Sequence, residues 1–194
     1  MSSRVSGRRR IIFLTGFSGT GKSHVGRLVS GMLGWAFADM DEMITQRADM
    51  PIVEIFERGE DHFRALERQV LAEVAEGDRL VVSTGGGVPE SEENRQVMSS
   101  TGMTVRLDAA PEMIYGRLKR SRRGNTDEEA RGVIRPMLRE DGDEAPVGRI
   151  RALLAQREEA YATADATIRT DELTPRAVAR RVVEAWKLFE GKRE

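Results

Sequence analysis

The sequence predicts an α/β sandwich with helices on both faces of a parallel sheet, and three features carry that prediction. Short apolar runs of strand length alternate with stretches of helical periodicity from one end of the chain to the other. The first run, Ile11–Leu14, leads directly into residues 16–23, Gly-Phe-Ser-Gly-Thr-Gly-Lys-Ser, which fit the phosphate-loop pattern G-x-x-x-x-G-K-[ST]. Two further strand ends carry ligand-like groups, Asp39-Met40-Asp41 and Thr84-Gly85-Gly86-Gly87. In a sheet wound this way ligands sit at the carboxyl ends of the strands, so one crevice can hold all three segments.

The elements follow in order. After the loop, Val25, Leu28, Val29, Met32 and Leu33 give the first helix its apolar face, and Gly34 stops it. Residues 35–38 read as a short buried strand and residues 42–47 as helical. Pro51 opens a short helix carrying Ile52, Ile55 and Phe56. A longer helix carries Phe63, Leu66, Val70, Leu71 and Val74. Residues 80–82 form the third strand, 90–100 a polar helix and 104–107 the fourth strand. Pro111 then sits in the first turn of a helix running to about residue 119. Residues 149–163 are again helical and 166–169 form the last strand. Thr174-Pro175 supplies an N-cap and first-turn pair for a final helix through Phe189, with Val178, Val182, Val183 and Trp186 facing inward. Residues 120–148 break the pattern, being rich in charge and without apolar periodicity. Such a segment inside a compact domain is a functional lid or a disordered insert.

Composition narrows the class. A chain of 194 residues favours one domain, here residues 11–189, behind a Ser/Gly/Arg-rich tail at residues 1–10 that is expected to be disordered. The formal charge of −1 gives no global pull towards nucleic acid or membrane. The absence of cysteine excludes disulfides, thiolate catalysis and Cys-ligated zinc, and two isolated histidines make no metal cluster. No apolar run is long enough to span a bilayer, and the one after the tail stops at Leu14, unlike a signal peptide. A soluble, cytoplasmic protein is expected.

The loop's chemistry needs these residue types. Gly16, Gly19 and Gly21 let backbone N–H groups turn towards phosphate oxygens, and the helix starting near Lys22 adds its positive end. Lys22 can reach the β- and γ-phosphates as a point charge, and the Ser23 hydroxyl can ligate Mg²⁺. The flanking strand and helix weigh against a chance Lys-Ser after a Gly-rich turn. The other segments are ambiguous one at a time. Asp39 and Asp41 would point the same way if the pleat of the strand continued, one towards Mg²⁺ and one towards an acceptor hydroxyl; they are equally a strand end and a helix cap. The triple glycine fits a close backbone approach or a mobile loop. Arg64 and Glu67, three apart on a helix, fit a surface ion pair. Arg135, in Arg-Pro-Met-Leu, fits either an arginine finger folded over the γ-phosphate or a solvated charge run, and a solvated charge is equally a reading of Arg157.

Together these segments resemble the shikimate kinase family. The phosphate loop, Asp39-x-Asp41, Phe63-Arg64-x-x-Glu67, Thr84–Gly87, Arg135-Pro136-x-Leu138 and Arg157 occur in one order and at similar spacings, over residues 11–186. The resemblance implies a nucleoside-monophosphate-kinase-like fold, a three-layer sandwich around a five-stranded parallel sheet of order 2-3-1-4-5. It implies a substrate-binding region at residues 42–67 and a mobile lid at 122–148. It implies phosphoryl transfer from MgATP to the 3-hydroxyl of shikimate, in aromatic amino-acid biosynthesis, by a monomer that binds neither nucleic acid nor membrane. By position, Lys22, Asp41 and Arg135 would be catalytic. Gly19, Thr20, Gly21, Lys22, Ser23, His24, Arg117 and Arg135 would bind ATP, with Arg117 stacking on adenine and residues 171–175 forming an adenine-side loop. Asp41, Arg64, Glu67, Gly85, Gly86, Gly87 and Arg157 would bind shikimate. Ser23, and Asp39 through water, would hold Mg²⁺. Two departures stand out: His24 takes a place where the family usually has threonine, and residues 120–134 run longer than usual before Arg135. Rival readings are a kinase for another polyol acid such as gluconate, which need not keep Arg64, Arg157 and the triple glycine, and a non-catalytic ligand-sensing domain of the same fold.

Overall fold

The computed structural model describes residues 10–123 and 146–192, with only the backbone described at 121–123. Five strands, β1 (Ile11–Thr15), β2 (Ala36–Asp39), β3 (Leu80–Ser83), β4 (Met103–Asp108) and β5 (Ala166–Arg169), form one sheet of order β2-β3-β1-β4-β5. All four pairings are parallel. The helices are α1 (Lys22–Leu33), α2 (Met40–Ala48), α3 (Ile52–Glu57), α4 (Glu60–Val74), α5 (Glu92–Thr101), α6 (Pro111–Arg123), α7 (Pro146–Tyr161) and α8 (Pro175–Gly191). The three-layer α/β sandwich and its strand order are those expected.

The alternation of side chains along β1 builds both cores. Ile11 and Phe13 face a cluster with Met40, Ile44, Ile55, Val70 and Leu71, from α2, α3 and α4. Ile12 and Leu14 face the opposite cluster, with Val25, Val29, Val178, Val182 and Trp186, from α1 and α8. All four β1 side chains are fully buried, each worth about 1.5–3 kcal/mol of transfer free energy. A third cluster lies beyond the strand ends, where Phe17 of the loop packs with Ala109, Ile114, Leu118 and Ile150 and so joins the loop to α6 and α7.

Several boundaries differ from expectation for physical reasons. β2 begins at Ala36, because Gly34 ends α1 in a left-handed turn and the Trp35 N–H still donates to the Ser30 carbonyl. Trp35 packs edge-on against Trp186 instead of extending the strand. Nor is β2 fully buried: it is an edge strand, and Ala36 is exposed. α2 starts at Met40, two residues early, with the Asp39 carboxylate accepting the Asp41 N–H at 3.1 Å as N-cap. The strand pleat therefore stops at Asp39 and does not orient Asp41. A 3₁₀ turn at Val88–Glu90 precedes α5, capped by Ser91, where a continuous helix from residue 90 was expected. Helix also covers residues 120–123 and 146–148, at the two edges of the segment read as structureless; residues 124–145, the rest of the expected lid, lie outside the described residues. So do residues 1–9 of the expected tail. Its last residue, Arg10, is held by Asp78, which accepts the Arg10 N–H at 2.8 Å and its guanidinium at 2.7 Å. The Thr174 cap forms as expected.

Two glycines of α1 give a paired test of packing against propensity. A Cβ on Gly26 would lie 2.4 Å from the Phe37 ring, whereas one on Gly31 meets nothing within 4 Å. Both replacements gain helix propensity of about 1 kcal/mol, but overpacking costs about 1–3 kcal/mol. Urea denaturation is expected to show Gly31→Ala more stable than wild type by about 0.5–1 kcal/mol and Gly26→Ala less stable by about 1 kcal/mol.

Candidate active site

The carboxyl ends of β1, β2 and β3 meet at the phosphate loop. Gly16 has φ +125° and lies so close to β4 that a Cβ would sit 2.2 Å from the Leu107 carbonyl oxygen, so only glycine fits. The Thr20 hydroxyl and N–H both donate to the Phe17 carbonyl, at 2.8 and 3.2 Å, and close the turn. Gly21 enters α1 at φ 98° without a side-chain cap, which leaves the first-turn N–H groups of α1 for a ligand's oxygens. Lys22 is buried, and its Nζ donates to the Gly16 and Phe17 carbonyls at 2.9 and 3.2 Å. Burial lowers its pKa, while the carboxylates of Asp41 and Asp39 pull it back up.

The Ser23 hydroxyl lies 3.3 Å from that of Ser83, and Ser83 is the register partner of Asp39 across β2 and β3. A serine hydroxyl beside a buried carboxylate is a hard-oxygen donor set that suits Mg²⁺, which takes one or two protein ligands and completes its shell with water and phosphate. No group of three or more His, Cys, Asp or Glu side chains placed to hold a metal occurs among the described residues.

Next to the loop is a small cavity lined by Ser18, Asp41, Phe56, Phe63, Arg64, Glu67, Gly85, Gly86, Gly87 and Arg157. It contains every residue expected to bind the acceptor. The triple glycine is its floor. A Cβ on Gly85 would approach Asp41 Oδ1 at 3.0 Å and Glu67 Oε1 at 3.2 Å, and one on Gly87 would strike Arg64 Nη1 at 2.5 Å. Arg64 Nη1 donates to Glu67 Oε2 at 2.9 Å. Glu67 is 2% exposed, and burial raises its pKa against the opposing pull of Arg64. Its Oε1 has no hydrogen-bond partner among the described residues. Pairing with Glu67 and Glu90 outweighs burial at Arg64, whose own pKa is raised.

α7 brings Arg157 and Tyr161 to the same floor. The Tyr161 hydroxyl donates to the Gly86 carbonyl at 2.7 Å. Arg157 lies 5.7 Å from the Phe17 ring centroid and pairs with Glu90 at 3.0 Å. α7 is itself tied to the sheet: Arg106 of β4 grips Glu158 with two bonds of 2.8 and 2.7 Å, and its guanidinium covers the Tyr161 ring. At the loop's outer edge Arg117 donates to the Thr170 hydroxyl and carbonyl, both at 2.9 Å, and to the Thr20 carbonyl at 3.3 Å. It thus stands between the phosphate loop and the stretch at residues 171–175. His24 is exposed on α1, its side chain turned to solvent. Arg135 lies outside the described residues. A larger cavity, between α5, β4 and the end of α7, contains none of the residues expected to bind ATP or acceptor.

Sequence reasoning missed Ser18, Ser83 and Glu90. Ser83 had a usable signal, a hydroxyl at the end of a buried strand directly before the triple glycine. Glu90 had none, because its approach depends on the 3₁₀ turn.

A phosphate loop facing a small cavity with two arginines and two carboxylates defines a small-molecule kinase of the phosphate-loop class. The family model described as "Shikimate kinase" matches residues 18–187. The shikimate kinase of Geobacter metallireducens is 42% identical over 184 residues, covering 94% of this chain and 93% of that protein. The shikimate kinase of Acinetobacter baumannii, solved in complex with shikimate, superposes with a TM-score of 0.80 at 30% identity, covering 100% of both chains. A gluconokinase from Sinorhizobium meliloti has a TM-score of 0.56 at 16% identity and shares the fold. The chain belongs to the shikimate kinase family and is an ATP-dependent kinase. No helix among the described residues is long and apolar enough to cross a membrane.

Tyr161 reports on this packing. Burial pushes its hydroxyl up to about 12, from an unfolded value near 10. Between those values the unfolded chain releases a proton that the folded chain keeps, so the Tyr161 contribution to stability falls as pH rises from about 10 to about 12. Alkaline absorbance titration is expected to show a phenolate step near pH 12 in wild type that Tyr161→Phe lacks.

Proposed function

We propose that this chain transfers the γ-phosphoryl group of ATP to the 3-hydroxyl of shikimate, giving shikimate 3-phosphate and ADP in aromatic amino-acid biosynthesis. The observation that carries this reading is the cavity in which Arg64, Arg157, Asp41, Glu67 and the triple glycine meet beside the phosphate loop. Two guanidiniums suit a carboxylate, and an aspartate suits vicinal hydroxyls.

In the proposed mechanism the glycines of the loop and the N-terminus of α1 hold the phosphates, and the Lys22 ammonium turns from the Gly16 and Phe17 carbonyls to the β- and γ-phosphates. Arg64 and Arg157 take the shikimate carboxylate, Glu67 orients Arg64, and the Gly86 N–H donates to the acceptor. Asp41 aligns the 3-hydroxyl and accepts its proton. A bond forms from that oxygen to the γ-phosphorus, the bond to the β-phosphate oxygen breaks, and ADP leaves. The transition state is loose, so these groups act by position and charge rather than by covalent chemistry. Mg²⁺ is the proposed cofactor, held by Ser23 and, through water, by Asp39; when bound it neutralises charge on the β- and γ-phosphates. Arg117 is assigned to the adenine side, with residues 171–175. Arg135 keeps its role on the transferring phosphate by the resemblance alone. The protein is proposed to work as a cytoplasmic monomer without nucleic acid or membrane partners, for which the formal charge of −1 is support.

Purified protein is expected to release ADP from MgATP on addition of shikimate and not of gluconate. Stimulation by gluconate alone would replace the acceptor, and stimulation by neither would favour the sensor reading. Loss of charge-assisted hydrogen bonds in Arg64→Ala, each worth about 1.5–3 kcal/mol, is expected to raise KM for shikimate about 10- to 100-fold with a smaller change in kcat. An unchanged KM would remove Arg64 from the acceptor site.

A further inference from the structure

We propose that Glu90 is a specificity-determining residue of the acceptor site. Its carboxylate stands between Arg64 and Arg157, in the place an acceptor carboxylate must take, so that an entering anion has to displace it. The proposal rests on the acceptor reading above. One oxygen, Glu90 Oε1, lies 3.0 Å from Arg157 Nη2 and 3.7 Å from Arg64 Nη2. The same oxygen lies over the glycine floor, 2.8 Å from where a Cβ of Gly87 would be.

The placement is built by the fold. The Glu90 N–H donates to the Gly87 carbonyl at 3.0 Å, closing the 3₁₀ turn, and Val88 and Pro89 are buried beneath it. Arg95 donates to the Pro89 and Glu90 carbonyls at 2.6 and 3.0 Å, and the Asn94 amide donates to the Val88 carbonyl at 3.0 Å. The backbone at Glu90 is therefore held on three sides while its side chain, 40% exposed, is able to swing to water. Glu67, at 2% exposed, has no such exit and stays with Arg64. Glu60 also contacts Arg64, but from the outer rim, where it is 66% exposed.

Displacement sets a threshold. A ligand offering only a carboxylate exchanges one carboxylate for another between the same two guanidiniums and gains little. A polyol acid whose hydroxyls also engage Asp41 and the Gly86 N–H gains those contacts as well, and only such a ligand displaces Glu90 with profit. Discrimination then arises from a built-in competitor as much as from attraction.

The test compares wild type, Glu90→Gln, Glu90→Ala and Glu93→Gln by calorimetric titration with shikimate and with benzoate, a carboxylate without hydroxyls, alongside steady-state KM and kcat. Glu93→Gln makes the same charge change at an exposed position of α5. Glu90→Gln and Glu90→Ala are expected to bind shikimate about three- to tenfold more tightly, with KM falling more than kcat changes, and to bind benzoate in competition with shikimate. Glu93→Gln is expected to match wild type. A merely structural Glu90 would weaken shikimate binding. Unchanged or weaker binding in both Glu90 variants, beside a wild type that binds shikimate, overturns this proposal alone. A wild type that binds no shikimate overturns the acceptor reading and the proposal with it.

Discussion

The contact between Gly16 and the backbone of Leu107 is the constraint on which the rest of the site depends. It leaves no room for a side chain, so β1 must turn sharply where it passes β4. Phe17 is then driven down into the cluster with Ile114, Leu118 and Ile150, and the loop becomes part of the packing of α6 and α7. The carbonyls of Gly16 and Phe17 end up converging on Lys22 Nζ. A buried ammonium is costly, and burial lowers the Lys22 pKa; two carbonyls and the field of Asp41 and Asp39 offset that desolvation only in part. The loop is thus preformed by close packing, and its Lys is stored on groups weaker than a triphosphate.

The cavity beside the loop works by a different balance. Arg64 and Arg157 are interleaved with Glu67, Glu90 and Asp41, so that neither sign is left concentrated. Glu67 is the fixed counterion: burial raises its pKa, and its pairing with Arg64 opposes that rise. The arginine on the other side depends on α7, which Arg106 holds to β4 through Glu158 and the Tyr161 ring. Tyr161 in turn fixes the Gly86 carbonyl, which orients the glycine floor. A residue of β4 thereby governs where the Arg157 guanidinium stands, by way of one helix.

What was legible in the sequence follows from which atoms carry each part. The phosphate half is made of backbone, and its glycines and Lys22 must be contiguous, so a local pattern reveals it. Strand and helix periodicities are themselves local, so the elements and the inward faces of α4 and α8 were legible, and that of α1 apart from Met32, which is exposed; the sheet order came only with the family resemblance, because which strands pair is not a local property. Asp41 lines the cavity beside the loop, but not by the route expected: a continuing pleat was expected to aim it, whereas the Asp39 cap starts α2 at Met40 and presents Asp41 from the first helical turn. Capping competes with strand extension at any Asp after a short strand, and the sequence does not say which prevails. Trp35 was misread because its partner, Trp186, is 151 positions away.

The cavity proposed for the acceptor was legible only as a joint pattern, since its lining comes from α2, α4, the turn after β3 and α7, and no one segment specifies the meeting. This difference bears on how such a site diverges. The backbone half is pinned at Gly16, where a Cβ collides with main chain that cannot move aside. The side-chain half has positions such as Glu90 that touch both arginines yet remain partly solvated, and there a change of residue alters the competition for the guanidiniums without disturbing a core. Related kinases on this scaffold can therefore hold the phosphate chemistry constant while the acceptor changes.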